Sequence, residues 1–198
     1  MTNIIDKHKM DIEGVILTGG KSERMGVDKA KILVDGIALA EKIATELARA
    51  TKKVTVLGRE PIIGFDFILD DEEFAGPLSA LANFSPTEKF VFVASCDLPF
   101  FESSIVSFFK ENIDSYDAVV PKCQDKLQPL CALYCADSWE LLKKLKSQNE
   151  TRIMSWMNQL KVREISETDM RNANIDPRIP LNINSNEDFQ KFFGRTHY

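Results

Sequence analysis

Short runs of β-branched and aromatic residues recur along this chain, each bounded by turn residues or charges, and stretches with helical spacing alternate with them. Few folds accommodate that alternation. Residues 13–18, 53–57, 65–69 and 90–94 are the clearest runs, and residues 118–121, 130–134, 161–165 and 181–183 continue the set; their composition is that of strands. Over residues 37–50 the apolar Leu39, Ile43, Leu47 and Ala50 recur at three- and four-residue intervals, which predicts a helix with one buried face, although Gly36 marks its start poorly. Residues 77–84, 102–110, 138–145 and 152–160 read as further helices, with Leu141, Leu142, Leu145, Met157 and Leu160 as inward candidates. No internal repeat, low-complexity tract or linker interrupts the pattern. The expectation is an α/β fold: a single-domain three-layer α/β/α sandwich whose Rossmann-like, mostly parallel sheet carries helices on both faces.

A chain of 198 residues buries one substantial core. Residues 1–12 read as an N-terminal extension and 13–198 as the single domain. The formal net charge of −5 argues against nonspecific adhesion to nucleic acid or anionic lipid, so an anionic ligand must be held by local groups. The opening residues lack the apolar core of a secretory signal, and no segment approaches the roughly 18 uninterrupted apolar residues of a membrane span. The cytoplasm is the expected location. Cys96, Cys123, Cys131 and Cys135 form no paired C-x-x-C units, and His8 and His197 sit at the two ends. Structural zinc is not expected, and the thiols read as small buried hydrophobes.

In open α/β sheets ligands gather at the carboxyl ends of strands, which directs attention to the loops after Leu17, Leu69 and Ala94. The first carries Thr18, Gly19, Gly20 and Gly26 beside Lys21, Arg24 and Lys29. Glycines let backbone N–H groups approach phosphate oxygens, and the cations offset their charge. A Walker A loop would need glycine at position 15, where Val15 stands and Gly14 is one place early; the Rossmann G-x-G-x-x-G spacing is absent as well. The third loop places Asp97 at a carboxyl edge, where its carboxylate can recruit Mg²⁺ to a triphosphate.

The pattern L-x-G-G-x-S-x-R-M-G-x-D-K over residues 17–29 resembles the signature of the molybdenum cofactor guanylyltransferases, within the wider sugar-nucleotide and cytidylyl transferase superfamily. The resemblance implies the nucleotide-diphospho-sugar transferase type of fold and a Mg²⁺-dependent transfer of GMP from GTP to molybdopterin, or Mo-molybdopterin, with release of pyrophosphate. It implies that Leu17, Thr18, Gly19, Gly20 and Lys29 hold GTP, with Gly20 leaving room beside the purine. Arg24 and Lys29 would stabilise the triphosphate and the departing pyrophosphate. Asp97, in Asp-Leu-Pro, matches the family's metal motif, and Asp70, ahead of Gly76-Pro77-Leu78, the nucleotide-binding aspartate, with Asp71 one residue along.

Later segments around Gln128 and around Asn182 and Asn184 also resemble the family, and their amides are candidates for molybdopterin. Two departures stand out: Thr18 replaces the usual alanine, and the second strand ends in Gly58 where asparagine is frequent. The remaining partner expectation is transient contact with proteins that deliver molybdopterin or chaperone molybdoenzymes. Competing readings are transfer from CTP to molybdopterin or from another nucleotide to a sugar phosphate, a GTP- or molybdopterin-binding regulatory or carrier protein, and a P-loop GTPase.

Overall fold

The computed structural model describes residues 11–19, 29–34, 36–70 and 76–183, residue 29 by its backbone alone. In chain order it contains β1 (Ile12–Leu17), a 3-10 turn (Lys29–Lys31), β2 (Leu33–Val34), β3 (Ile37–Ala38), α1 (Leu39–Ala50), β4 (Val54–Gly58), β5 (Asp66–Leu69) and α2 (Gly76–Ala82). There follow β6 (Phe90–Ser95), α3 (Ser104–Asn112), β7 (Ala118–Cys123), β8 (Lys126–Leu127), β9 (Cys131–Cys135), α4 (Trp139–Ser147), α5 (Ile153–Met157), β10 (Val162–Ser166) and α6 (Glu167–Asn172).

The main sheet runs β10-β7-β9-β6-β1-β4-β5, with β8 paired to β7. Strands β6, β1, β4 and β5 are parallel. β9 lies antiparallel between β6 and β7, and β10 pairs parallel with β7. Because strand side chains alternate, each face has its own core. Ile12, Ile16, Phe90 and Phe92 pack with Ile43 and Leu47 of α1, Phe109 of α3 and Met170 of α6. Val15, Leu17, Val91 and Val93 pack on the other face with Leu81 of α2, Trp139 of α4 and Trp156 of α5. This is the expected three-layer arrangement with a mostly parallel sheet.

Three local expectations need correction. The helix predicted from residue 37 begins at Leu39, because Ile37–Ala38 pairs with Leu33–Val34 as a hairpin; Gly36, at φ +81°, belongs to the turn rather than to a helix start. The predicted helix over 152–160 contracts to Ile153–Met157. Residues 181–183 are not a strand: after Pro180 the Leu181 N–H turns back to Arg178 O, and the Ile183 N–H donates to Asp97 O at 2.9 Å. The segment is tied to a loop rather than to a sheet partner.

One charged side chain is fully buried inside β1. The Glu13 carboxylate accepts hydrogen bonds from the Thr87 and Glu88 N–H groups and from Thr87 Oγ1, and Lys53 Nζ stands 3.1 Å away. It fastens the amino end of β1 to the chain entering β6. The thiols are also accounted for by burial, which pushes Cys123 up to about 11, with Glu167 adding to the effect. Cys131 is held well above its ordinary value, chiefly by burial and then by Cys123. Both stay protonated near neutral pH and pack as apolar groups. No helix among the described residues is long and apolar enough to cross a membrane.

Candidate active site

Register brings the predicted loops to one edge. Leu17 lies level with Ser95 on β6 and with Leu57 on β4, and Gly58 lies level with Leu69 on β5. The chains leaving β1, β4, β5 and β6 therefore emerge side by side at their carboxyl ends. α1, which follows β1, and α3, which follows β6, cover one face of the sheet, and α2, which follows β5, covers the other; ligands of open α/β sheets lie outside such carboxyl ends.

Backbone bonds lock the edge together. The Thr18 N–H donates to Leu57 O at 2.9 Å, the Cys96 N–H to Leu17 O at 3.0 Å and the Asp70 N–H to Gly58 O at 2.8 Å. The Leu17 side chain is in the core and its carbonyl is engaged, so its contribution to this edge is position. Gly19 is exposed immediately beyond, and a Cβ built on it would lie 3.4 Å from Asp70 Oδ2. Thr18, Gly19 and Asp70 are thus neighbours.

Asp97 is half-buried at the end of β6, where its Oδ1 accepts a 2.6 Å hydrogen bond from Ser95 Oγ. Leu98 and Phe101, both buried, anchor the loop in the core. The bond from Ile183 N–H to Asp97 O sets Asn182 beside the loop. Gln128 comes close by another route: its carbonyl accepts from the Cys131 N–H at 3.1 Å, while Leu130 O accepts from the Ser95 N–H at 2.9 Å. The buried Tyr134 hydroxyl donates to Pro129 O at 2.7 Å and fixes that turn. In sheet order the Asp97 loop consequently lies between Thr18, Gly19 and Asp70 on one side and the Gln128 turn on the other, with Asn182 next to it.

Gly20, Arg24 and Asn184 lie outside the described residues, as does the Lys29 side chain. Sequence reasoning missed Ser95, Gly58 and Tyr134. Ser95 had a local signal, a hydroxyl two residues before an acid at a strand end; the other two act through partners distant in the chain or through space alone. A cavity of about 330 Å³ near α3, β10 and α6, lined by Phe108, Arg163 and Asp169 among others, shares no residue with this edge.

Among the described residues no three histidine, cysteine or acidic side chains gather. The carboxylates described at this edge fit Mg²⁺, which commonly takes one or two carboxylates and completes its shell with phosphate oxygens and water. Asp97 is the carboxylate placed to serve.

The family described as MobA-like NTP transferase domain matches residues 14–164. The molybdenum cofactor guanylyltransferase of Desulfosudis oleivorans is 27% identical over 91% of this chain and 93% of its own length. That of Campylobacter jejuni subsp. doylei is 29% identical over 92% and 95%. The crystal structure of molybdopterin-guanine dinucleotide biosynthesis protein A from Archaeoglobus fulgidus superposes with a TM-score of 0.75 at 21% identity, over 90% of this chain and 95% of that one, and shares its fold. The motif at the end of β1, the layered sheet and a match spanning most of the sequence lead to one conclusion: the chain belongs to the MobA-like NTP transferase family.

Proposed function

We propose that this chain is a molybdenum cofactor guanylyltransferase, joining GMP from GTP to the terminal phosphate of molybdopterin or its molybdenum-bearing form. The observation that supports the reading is that, in sheet order, the Asp97 loop lies between the Thr18–Gly19–Asp70 corner and the Gln128 turn, with the Asn182 segment bonded to that loop. A two-substrate displacement needs such a division, with the nucleotide on one side and the acceptor on the other. The family match and the names of the relatives support the same assignment.

In this reading the Gly19 and Gly20 amides face phosphate oxygens, Asp70 accepts from the nucleoside, and Arg24 and Lys29 neutralise charge on the β- and γ-phosphates. Gln128, Asn182 and Asn184 orient the pterin. A phosphate oxygen of molybdopterin attacks the α-phosphorus in line; the new P–O bond forms as the α–β bridging P–O bond breaks, and its electron pair departs with pyrophosphate. The attacking phosphate is already largely ionised near neutral pH, so no residue need serve as a general base. Asp97 would hold Mg²⁺, which when bound supplies Lewis-acid stabilisation of the phosphate charge. The chemistry is that of a cytoplasmic biosynthetic enzyme, with transient contact to proteins that deliver molybdopterin or chaperone molybdoenzymes.

The test is pyrophosphate release, followed with GTP, CTP or ATP in the presence and absence of molybdopterin, with mass detection of the product. Release requiring both GTP and molybdopterin is the expected result. Release with CTP alone among the nucleotides moves the protein to cytidylyl transfer, and orthophosphate without acceptor makes it a hydrolase. Ser95→Ala frees the Asp97 carboxylate from its 2.6 Å tether. It is expected to raise the Mg²⁺ concentration for half-maximal rate about tenfold, as loss of a group orienting a metal ligand does; a metal titration of initial rates checks this.

A further inference from the structure

Gly58 is buried at the carboxyl end of β4, and its backbone does not call for glycine: among the described glycines, positive φ is confined to Gly36, Gly64 and Gly76. What it supplies is space. A Cβ at position 58 would come within 1.9 Å of Thr18 Oγ1, 3.2 Å of Thr18 Cβ and 3.4 Å of Gly19 N. The hydroxyl occupying that space donates to Leu57 O at 3.3 Å, beside the Thr18 N–H on the same carbonyl at 2.9 Å. Asp70 closes the arrangement, bonding Gly58 O through its N–H at 2.8 Å and flanking Gly19 with its carboxylate. Three adjacent strand ends thus interlock through Thr18, Gly58, Gly19 and Asp70.

We propose that Thr18 and Gly58 form a matched pair that positions the nucleoside end of a purine nucleoside triphosphate. The inference rests on the nucleotide reading of this edge given above. The Thr18 side chain fills the volume Gly58 leaves open and ties the start of the glycine loop to β4 twice, by its N–H and by its hydroxyl. The Gly19 amide is thereby held at a fixed height above Gly58, level with the Asp70 carboxylate, which accepts from ribose hydroxyls or base N–H groups. Thr18 is a positioning residue acting through Gly19 and Asp70. The two departures from the family pattern, at 18 and at 58, are one feature, because a larger residue at 58 and a hydroxyl at 18 compete for the same volume.

Calorimetric titration of GTP with Mg²⁺ into the full chain tests the pair, using wild type, Thr18→Val, Thr18→Ser, Thr18→Ala, Gly58→Ala and the double variant T18A/G58A. Gly58→Ala is expected to weaken GTP about tenfold or more, since either the Thr18 hydroxyl turns away from Leu57 O or the start of the loop shifts. The double variant relieves the 1.9 Å approach and leaves a 3.2 Å one, so it is expected to recover most of that loss. Thr18→Val, similar in shape but without the hydroxyl, is expected to bind about three- to tenfold more weakly, with Thr18→Ser restoring most of the affinity. In steady state the losses appear in KM for GTP rather than in kcat at saturating GTP, which a general loss of fold would not produce.

Gly58→Ala binding like wild type, or a double variant no tighter than Gly58→Ala, overturns the proposal. Should Gly58→Ala not fold, the Thr18→Val and Thr18→Ser comparison decides, and equal affinities reject the pair. A wild-type chain that binds no GTP overturns the underlying nucleotide reading instead, before any variant is compared.

Discussion

Asp97→Asn is expected to reduce kcat/KM for pyrophosphate release at least about a thousandfold, the loss associated with removing a group that stabilises charge in the transition state. The substitution preserves shape and removes charge. Leu98 and Phe101 still anchor the loop, Asp97 O still accepts the Ile183 N–H through the main chain, and Ser95 Oγ can still donate to an amide oxygen. Melting should therefore stay close to wild type while catalysis collapses and excess Mg²⁺ fails to restore it. A variant retaining a tenth of the wild-type rate would remove Asp97 from the metal's shell and with it the central division of the site.

The largest effect on stability belongs to Glu13→Ala. The carboxylate is fully buried, and it satisfies two backbone N–H groups and a hydroxyl at the entrance to β6. Truncation leaves those donors without an acceptor and strands Lys53, whose side chain retains 37% exposure and can partly turn to water. Breaking a fully buried pair costs about 3–5 kcal/mol; with one partner reaching solvent, about 3 kcal/mol is expected, a fall in Tm of roughly 6–12 °C for a chain of this size. Calorimetric or circular-dichroism melting checks it. Because Glu13 sits at the amino end of β1, opposite the edge proposed for catalysis, the folded fraction should turn over normally at low temperature. A melting point unchanged within about 2 °C would show the network to be dispensable.

The layer structure was legible because β1 and β6, covered on both faces, are buried almost throughout and read as near-continuous apolar runs bounded by turn residues. The small hairpin was not. Two-residue strands have no period, so Ile37 and Ala38 read as the first turn of α1. The antiparallel insertion of β9 depends on the short connection from β7, where Gln124 and Asp125 adopt positive φ values of 50° and 60°; apolar composition gives no direction to a strand. The loops bearing Thr18, Gly19, Asp70 and Asp97 were legible because glycine and acid stand at the carboxyl ends of apolar runs. Glu13 carried no local signal of its role, since its acceptor function is defined by Thr87 and Glu88, far along the chain. Thr18 and Gly58 each looked like a lone departure until the fold brought them into contact.

The most direct test of the account is a crystal structure of the chain with a non-hydrolysable GTP analogue and Mn²⁺, whose anomalous scattering locates the ion. The account predicts the triphosphate over the Gly19 amide, the nucleoside against Asp70, and the ion about 2.1 Å from an Asp97 oxygen. A nucleotide bound in another crevice, or an anomalous peak distant from Asp97, contradicts it.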